Sequence, residues 1–206
     1  MQGVWTVWGI VLAMVAWAGG LAAAEPAVRV RLVDYAGLMA EVKKHEGKVV
    51  VLDYWSTSCP PCVKEFPGLV ALADKHGDSV VCLSLAIEYD GFGKPEECLP
   101  PVQAFLAKVG AHRVMNFVAS EEADAIYKKL DLASVPAVSV WKPDGSLAVR
   151  YDDDMAARTL GRPFTYADID VTVRSILAEP QEGPVPSRGA TEGHESETGV
   201  RDAVPR

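Results

Sequence analysis

The sequence predicts an α/β domain built on a central mixed β-sheet with helices on both faces. Apolar, β-branched runs alternate with helical patterns over most of the chain, which implies parallel strands joined by crossover helices. Near the end, Lys142-Pro143-Asp144-Gly145 separates two short strand patterns, so an antiparallel pair joins the same sheet. The most continuous apolar run, Val49 to Trp55, leads within four residues to Cys59-Pro60-Pro61-Cys62 and then to a helical pattern.

The elements follow in order. Val28 to Val33 alternates apolar residues with Arg29 and Arg31, as a half-exposed strand does. Asp34 can cap a helix through about Glu46, with Leu38, Met39 and Val42 on one face and Gly47 as its stop. Lys48 to Trp55 is too continuously apolar to be half-solvated and reads as a central strand covered on both sides. A helix from about Cys59 to His76 follows, with Pro67 inside it, where the missing N–H removes a backbone hydrogen bond and bends the helix. Ser79 to Glu88 is the next strand, and Tyr89 to Glu96 a loop with two glycines and a proline. A helix at about Pro101 to Val109, a strand at Arg113 to Val118 and a helix at Glu121 to Leu130 capped by Ser120 come next. The hairpin strands are Ala137 to Trp141 and Leu147 to Tyr151, and a helix from Thr165 to Leu177 closes the domain. Asp152-Asp153-Asp154 lacks the spaced ligands and glycine of a calcium loop and reads as a solvated acidic turn.

A chain of 206 residues, half apolar, suits one domain with extensions. Its net charge of -8 is spread without a basic cluster, which leaves nucleic acid phosphates no electrostatic footing. Gly3 to Ala24 carries no charged side chain and ends in Ala22-Ala23-Ala24, the pattern of an export segment over 1–24 with a small-residue cleavage site. No Lys or Arg precedes that run, and it is about as long as the ~20 residues of a spanning helix, so membrane attachment through residues 3–24 is the other reading. Both readings put the domain, residues 25–178, outside the cytoplasm. After Glu179 the chain is Pro, Gly, Ser and Glu with few large apolar residues, and 179–206 is expected to be a disordered acidic tail. A monomer is the default expectation.

Four unevenly spaced cysteines are few for a disulfide scaffold in an exported chain. A redox pair plus two others fits better. Two cysteines a helical turn apart can close a disulfide with little backbone motion, and a cysteine at a helix N-terminus faces unpaired N–H groups that stabilise its thiolate. Cys59 is therefore the expected nucleophile. Cys82 falls in a buried strand and reads as a small core residue. Cys98 stands at the start of the third helix, and nothing in the sequence brings it within bonding distance of Cys82. A zinc site on Cys59 and Cys62 would need two more ligands, and His45, His76 and His112 show no paired spacing with them. No metal and no cofactor is called for.

The combination of Asp53-Tyr54-Trp55-x-x-x-Cys59-Pro60-Pro61-Cys62, Pro67 and Val135-Pro136 resembles the thioredoxin superfamily, and within it the exported TlpA-like and ResA-like thiol-disulfide oxidoreductases. The resemblance runs from about Val28 to Leu177, and about 95–118 looks like the central insertion of the TlpA-like branch. It implies a thioredoxin-like fold in which Cys59 attacks a partner's disulfide and Cys62 resolves the mixed disulfide. It makes Asp53 the buried acid that deprotonates Cys62, with burial raising its pKa toward a useful range. It makes Pro136 a cis-proline facing the disulfide, with the Val135 backbone free to pair with an extended partner and Trp55 beside the active-site loop, the three together forming the partner-binding surface. Ser58 departs from the tryptophan usual before the first cysteine, and Asp53 from the neutral residue common in TlpA-like proteins. The resemblance offers Glu88 as the acidic group that some ResA-like proteins place near the cysteines, while its position reads first as that of an exposed strand-end glutamate. Partners are then protein thiols and disulfides and an unidentified redox donor. The competing reading is a binding module with a static disulfide, which would have no use for a proton acceptor.

Overall fold

The computed structural model describes residues 27–179, so the expected export segment or anchor at 1–24 and the tail beyond Glu179 lie outside the described residues. Within them a six-stranded mixed sheet runs in the order β1-β4-β3-β2-β5-β6, with β1 at Val30–Val33, β2 at Val49–Trp55, β3 at Val80–Ala86, β4 at Met115–Ala119, β5 at Ala137–Trp141 and β6 at Leu147–Tyr151. The first four strands are parallel to their neighbours, β5 is antiparallel to β2, and β6 closes the hairpin. Its turn is the one the sequence predicts: the Gly145 N–H donates to the Lys142 carbonyl at 3.0 Å, with Gly145 at φ +83.

Every residue of β2 is buried. Its side chains alternate between two apolar layers. Val49, Val51 and Trp55 pack with α2 (Pro60–His76), α3 (Leu99–Lys108) and α6 (Tyr166–Ala178), while Val50, Leu52 and Tyr54 pack with α1 (Tyr35–Lys43) and α4 (Ala123–Leu130). The segment from Pro95 to Ala119 supplies a short 3-10 turn, α3 and β4, and sets β4 between β1 and β3.

Several local expectations are corrected. Helix α1 is capped by Asp34, whose carboxylate accepts the Gly37 N–H at 2.7 Å, but it ends at Lys43 because the following turns take over before Gly47. Ser120 does not cap α4. Its N–H donates to the Val33 carbonyl at 2.9 Å and extends the β1-β4 pairing, while the Glu121 carboxylate accepts the Tyr35 N–H at 2.7 Å. Both are thus held off the helix, which starts after Glu122. The run Asp152-Asp153-Asp154 is not a solvated turn either. Asp152 accepts the Met155 N–H at 2.7 Å and caps α5 (Asp153–Thr159), whose first turn gains from Asp153 and Asp154 near the positive helix end. Helix α2 continues through Pro67.

Candidate active site

The strand-to-helix junction after β2 puts the two cysteines at the first turn of α2. Cys59 is the N-cap, in extended backbone, and Pro60 and Pro61 occupy the first helical positions, where a fixed φ suits the helix and no N–H is needed. Cys59 and Cys62 form a disulfide with Cα atoms 5.3 Å apart, and the Cys62 N–H points at Cys59 Sγ at 3.3 Å. The pair is asymmetric. Cys59 is partly exposed, whereas Cys62 is 3% exposed beneath it.

Above the junction lies the loop before β5. The Val135-Pro136 peptide is cis, and the Val135 carbonyl oxygen stands 3.8 Å from Cys59 Sγ. Below, Trp55 is fully buried, its ring 4.8 Å from Phe66 and 5.0 Å from Phe105 between centroids. This corrects the expectation that Trp55 helps form the partner surface: no face of it reaches solvent, and it supports α2 from beneath.

Asp53 is 4% exposed on β2, with Cys62 and Pro136 on the wall of the same cavity of about 640 Å³, which Val138, Phe164 and Tyr166 also line. Burial pushes its carboxyl up to about 7 from the ordinary 3.8, and a hydrogen bond donated by Tyr166 draws it partly back. That bond is 2.7 Å, to Asp53 Oδ2. The Tyr166 hydroxyl is itself pushed well above its usual pKa by burial and by the neighbouring carboxylate, so it stays a donor.

Glu88 is not a free strand-end glutamate. It accepts the Thr57 N–H and, at 3.1 Å, the Thr57 hydroxyl, which ties the loop before Cys59 to the end of β3. Sequence reasoning missed Tyr166 and this clamp. Neither has a local spacing signal, although a buried tyrosine requires an acceptor and a buried acid welcomes a donor, which is a pairing hint. Cys82 is buried and Cys98 partly exposed, both as free thiols, and desolvation pushes Cys82 up to about 12. Among the described residues no cluster of His, Cys, Asp and Glu side chains is grouped to hold a metal, and no helix is long and apolar enough to cross a membrane.

No protein-family model matches the chain. It is 39% identical over 59 residues to thiol-disulfide oxidoreductase ResA of Halalkalibacterium halodurans, a stretch that makes up 29% of this chain and 34% of that protein. The match thus spans about a third of the relative's length. Among solved structures, a candidate thioredoxin from Neisseria meningitidis superposes with a TM-score of 0.50 at 15% identity, over 68% of this chain and 81% of its own. A thioredoxin-family thiol:disulfide interchange protein from Chlorobium tepidum gives 0.49 at 20% identity, over 66% and 83%. The fold is thioredoxin-like.

Proposed function

We propose that this chain, a thioredoxin-superfamily protein similar to ResA, is a thiol-disulfide oxidoreductase that exchanges its Cys59-Cys62 dithiol with protein disulfides outside the cytoplasm. The observation that carries the reading is the asymmetric pair: a partly exposed N-cap cysteine beside a cis-proline loop, with its partner buried one turn further on. An attacking thiol has to be reachable and its thiolate stabilised, whereas a resolving thiol is best kept out of reach until the mixed disulfide forms.

In the reducing direction the Cys59 thiolate attacks one sulfur of the partner's disulfide, forming a bond to it and releasing the other sulfur as a thiolate. Cys62 then gives its proton to Asp53 and attacks Cys59 Sγ. The Cys59-partner bond breaks, the second partner sulfur leaves, and the internal disulfide is restored. Two electrons pass from the cysteine pair to the partner, and a separate donor must later return them. The free edge of the Val135 backbone gives an extended partner segment a place to pair. Export or anchoring through residues 3–24 and a monomeric state complete the proposal.

Dithiothreitol-driven reduction of insulin tests it. The wild type is expected to turn over and Cys59→Ser to be inactive. A pair that cannot be reduced without denaturant would instead leave a static disulfide in a binding module.

A further inference from the structure

A buried carboxyl is a useful proton acceptor only if it is held toward the donor and ionised when needed. Here the holding group comes from the far end of the chain. Tyr166, the first residue of α6, donates to Asp53 Oδ2 across 113 positions. Its ring reaches β2 by crossing α2 where that helix has no side chain: a Cβ built at Gly68 would stand 2.6 Å from Tyr166 Cβ and Cδ2. Glycine is a poor residue for a helix interior, so its place in α2 has a packing reason. The start of α6 is pinned as well. Asp168 accepts the Thr165 N–H at 2.9 Å and binds Arg162 through two hydrogen bonds of 2.7 and 2.8 Å.

We propose that Tyr166, admitted by Gly68 and anchored by the Arg162-Asp168 pair, is a positioning residue for thiol-disulfide exchange: its hydroxyl orients the Asp53 carboxylate and favours its ionised form for receiving the Cys62 proton. The inference rests on the oxidoreductase reading and deepens it. In the step concerned, the Cys62 thiol loses its proton to Asp53 and its electron pair forms the bond to Cys59 Sγ, while the bond from Cys59 to the partner's sulfur breaks and that sulfur leaves as a thiolate. One disulfide forms as one breaks.

Other titratable groups lie near Asp53 or share its cavity. Cys82 on β3 and Tyr54 on β2 lie near it, and Cys62, Lys64 and Glu65 from α2, Asp153 from α5 and Arg162 from the loop before α6 line the same cavity. Among the described residues, Tyr166 is the one side chain hydrogen-bonded to it. The Arg162 guanidinium is already engaged by Asp168.

The test has two readouts on the full-length protein. Carbon-13 NMR of labelled aspartate in the oxidised form gives the Asp53 midpoint directly, and single-turnover reduction of a model disulfide gives the pH profile of the resolving step. Tyr166→Phe keeps the ring and removes the donor, and is expected to raise both midpoints by about one to two pH units. Gly68→Ala, which forces the ring away, should move both in the same direction, and in an Asp53→Asn background Tyr166→Phe should leave the profile unmoved. A folded Tyr166→Phe protein with an unchanged Asp53 midpoint would overturn the inference. So would a moved midpoint with an unmoved exchange profile, since the bond would then be only structural. A wild type that exchanges no disulfide at any pH would remove the oxidoreductase reading and this inference with it, whereas normal wild-type exchange beside an unmoved variant removes the inference alone.

Discussion

Replacing Asp53 by Asn should make the protein more stable, and increasingly so as the pH rises. The folded carboxyl titrates at about 7, against 3.8 for an exposed aspartate. Between those values the folded state holds a proton that the unfolded chain has released, so stability falls as pH rises through that window. Three pH units at about 1.4 kcal/mol each give roughly 4 kcal/mol lost by the wild type at alkaline pH. Asparagine has no charge to desolvate, and its carbonyl oxygen can still accept the Tyr166 hydroxyl. The two proteins should therefore differ least near about pH 4, diverge by up to about 1.4 kcal/mol per unit, and run parallel above about pH 8. Urea unfolding of the oxidised proteins across that range measures it. Stability curves that stay parallel throughout would refute the claim that burial raises this carboxyl. A stabilised variant that also resolves mixed disulfides slowly would show that the wild type retains a destabilising group for its chemistry.

Two further outcomes are expected. Arg162 and hydrogen bonds from Thr165 hold Asp168 well below the usual carboxylate range, so its contribution is fully present above about pH 4 and disappears as the pH falls through its folded pKa. Asp168→Asn should cost about 1 to 2 kcal/mol near neutrality, with wild-type and variant stabilities converging in acid; a gap that persists unchanged in acid would count against it. Alkylation of the folded, oxidised protein at mildly alkaline pH should label Cys98 and spare Cys82, which burial both shields and keeps protonated, until urea makes the two equal. Rapid native labelling of Cys82 would mean that β3 opens locally.

The legible parts of the fold and site are those set by neighbours in the chain. The β-branched run of β2, the helix start after Cys59 and the turn at Lys142 to Gly145 are local patterns, and their structural placement matches the expectation. The burial of Asp53 follows from its place within a run that has no solvated face. What was not legible depends on meetings over long separations. Glu88 reaches Thr57 over 31 positions and Tyr166 reaches Asp53 over 113, so no spacing rule applies to either. Helix α5 was missed for a different reason. Three consecutive aspartates look like a solvated turn by charge, yet one of them is a cap and the others lie where a helix dipole favours acids. Ser120 failed in the opposite sense: it has a capping side chain, but the sheet already uses its backbone.

The position of β4 between β1 and β3 sets an order of events during synthesis. β1 pairs with β4, Val30 aligning with Asn116 and Val33 with Ala119, so this first described strand has no strand to pair with until the chain has grown past residue 119. Pairings between distant segments form late because the intervening chain must first be gathered in. The earliest part of the domain to leave the ribosome is thus among the last to lock into place. Any chain halted before β4 would thus leave both β1 and the outer edge of β3 without a strand to pair with.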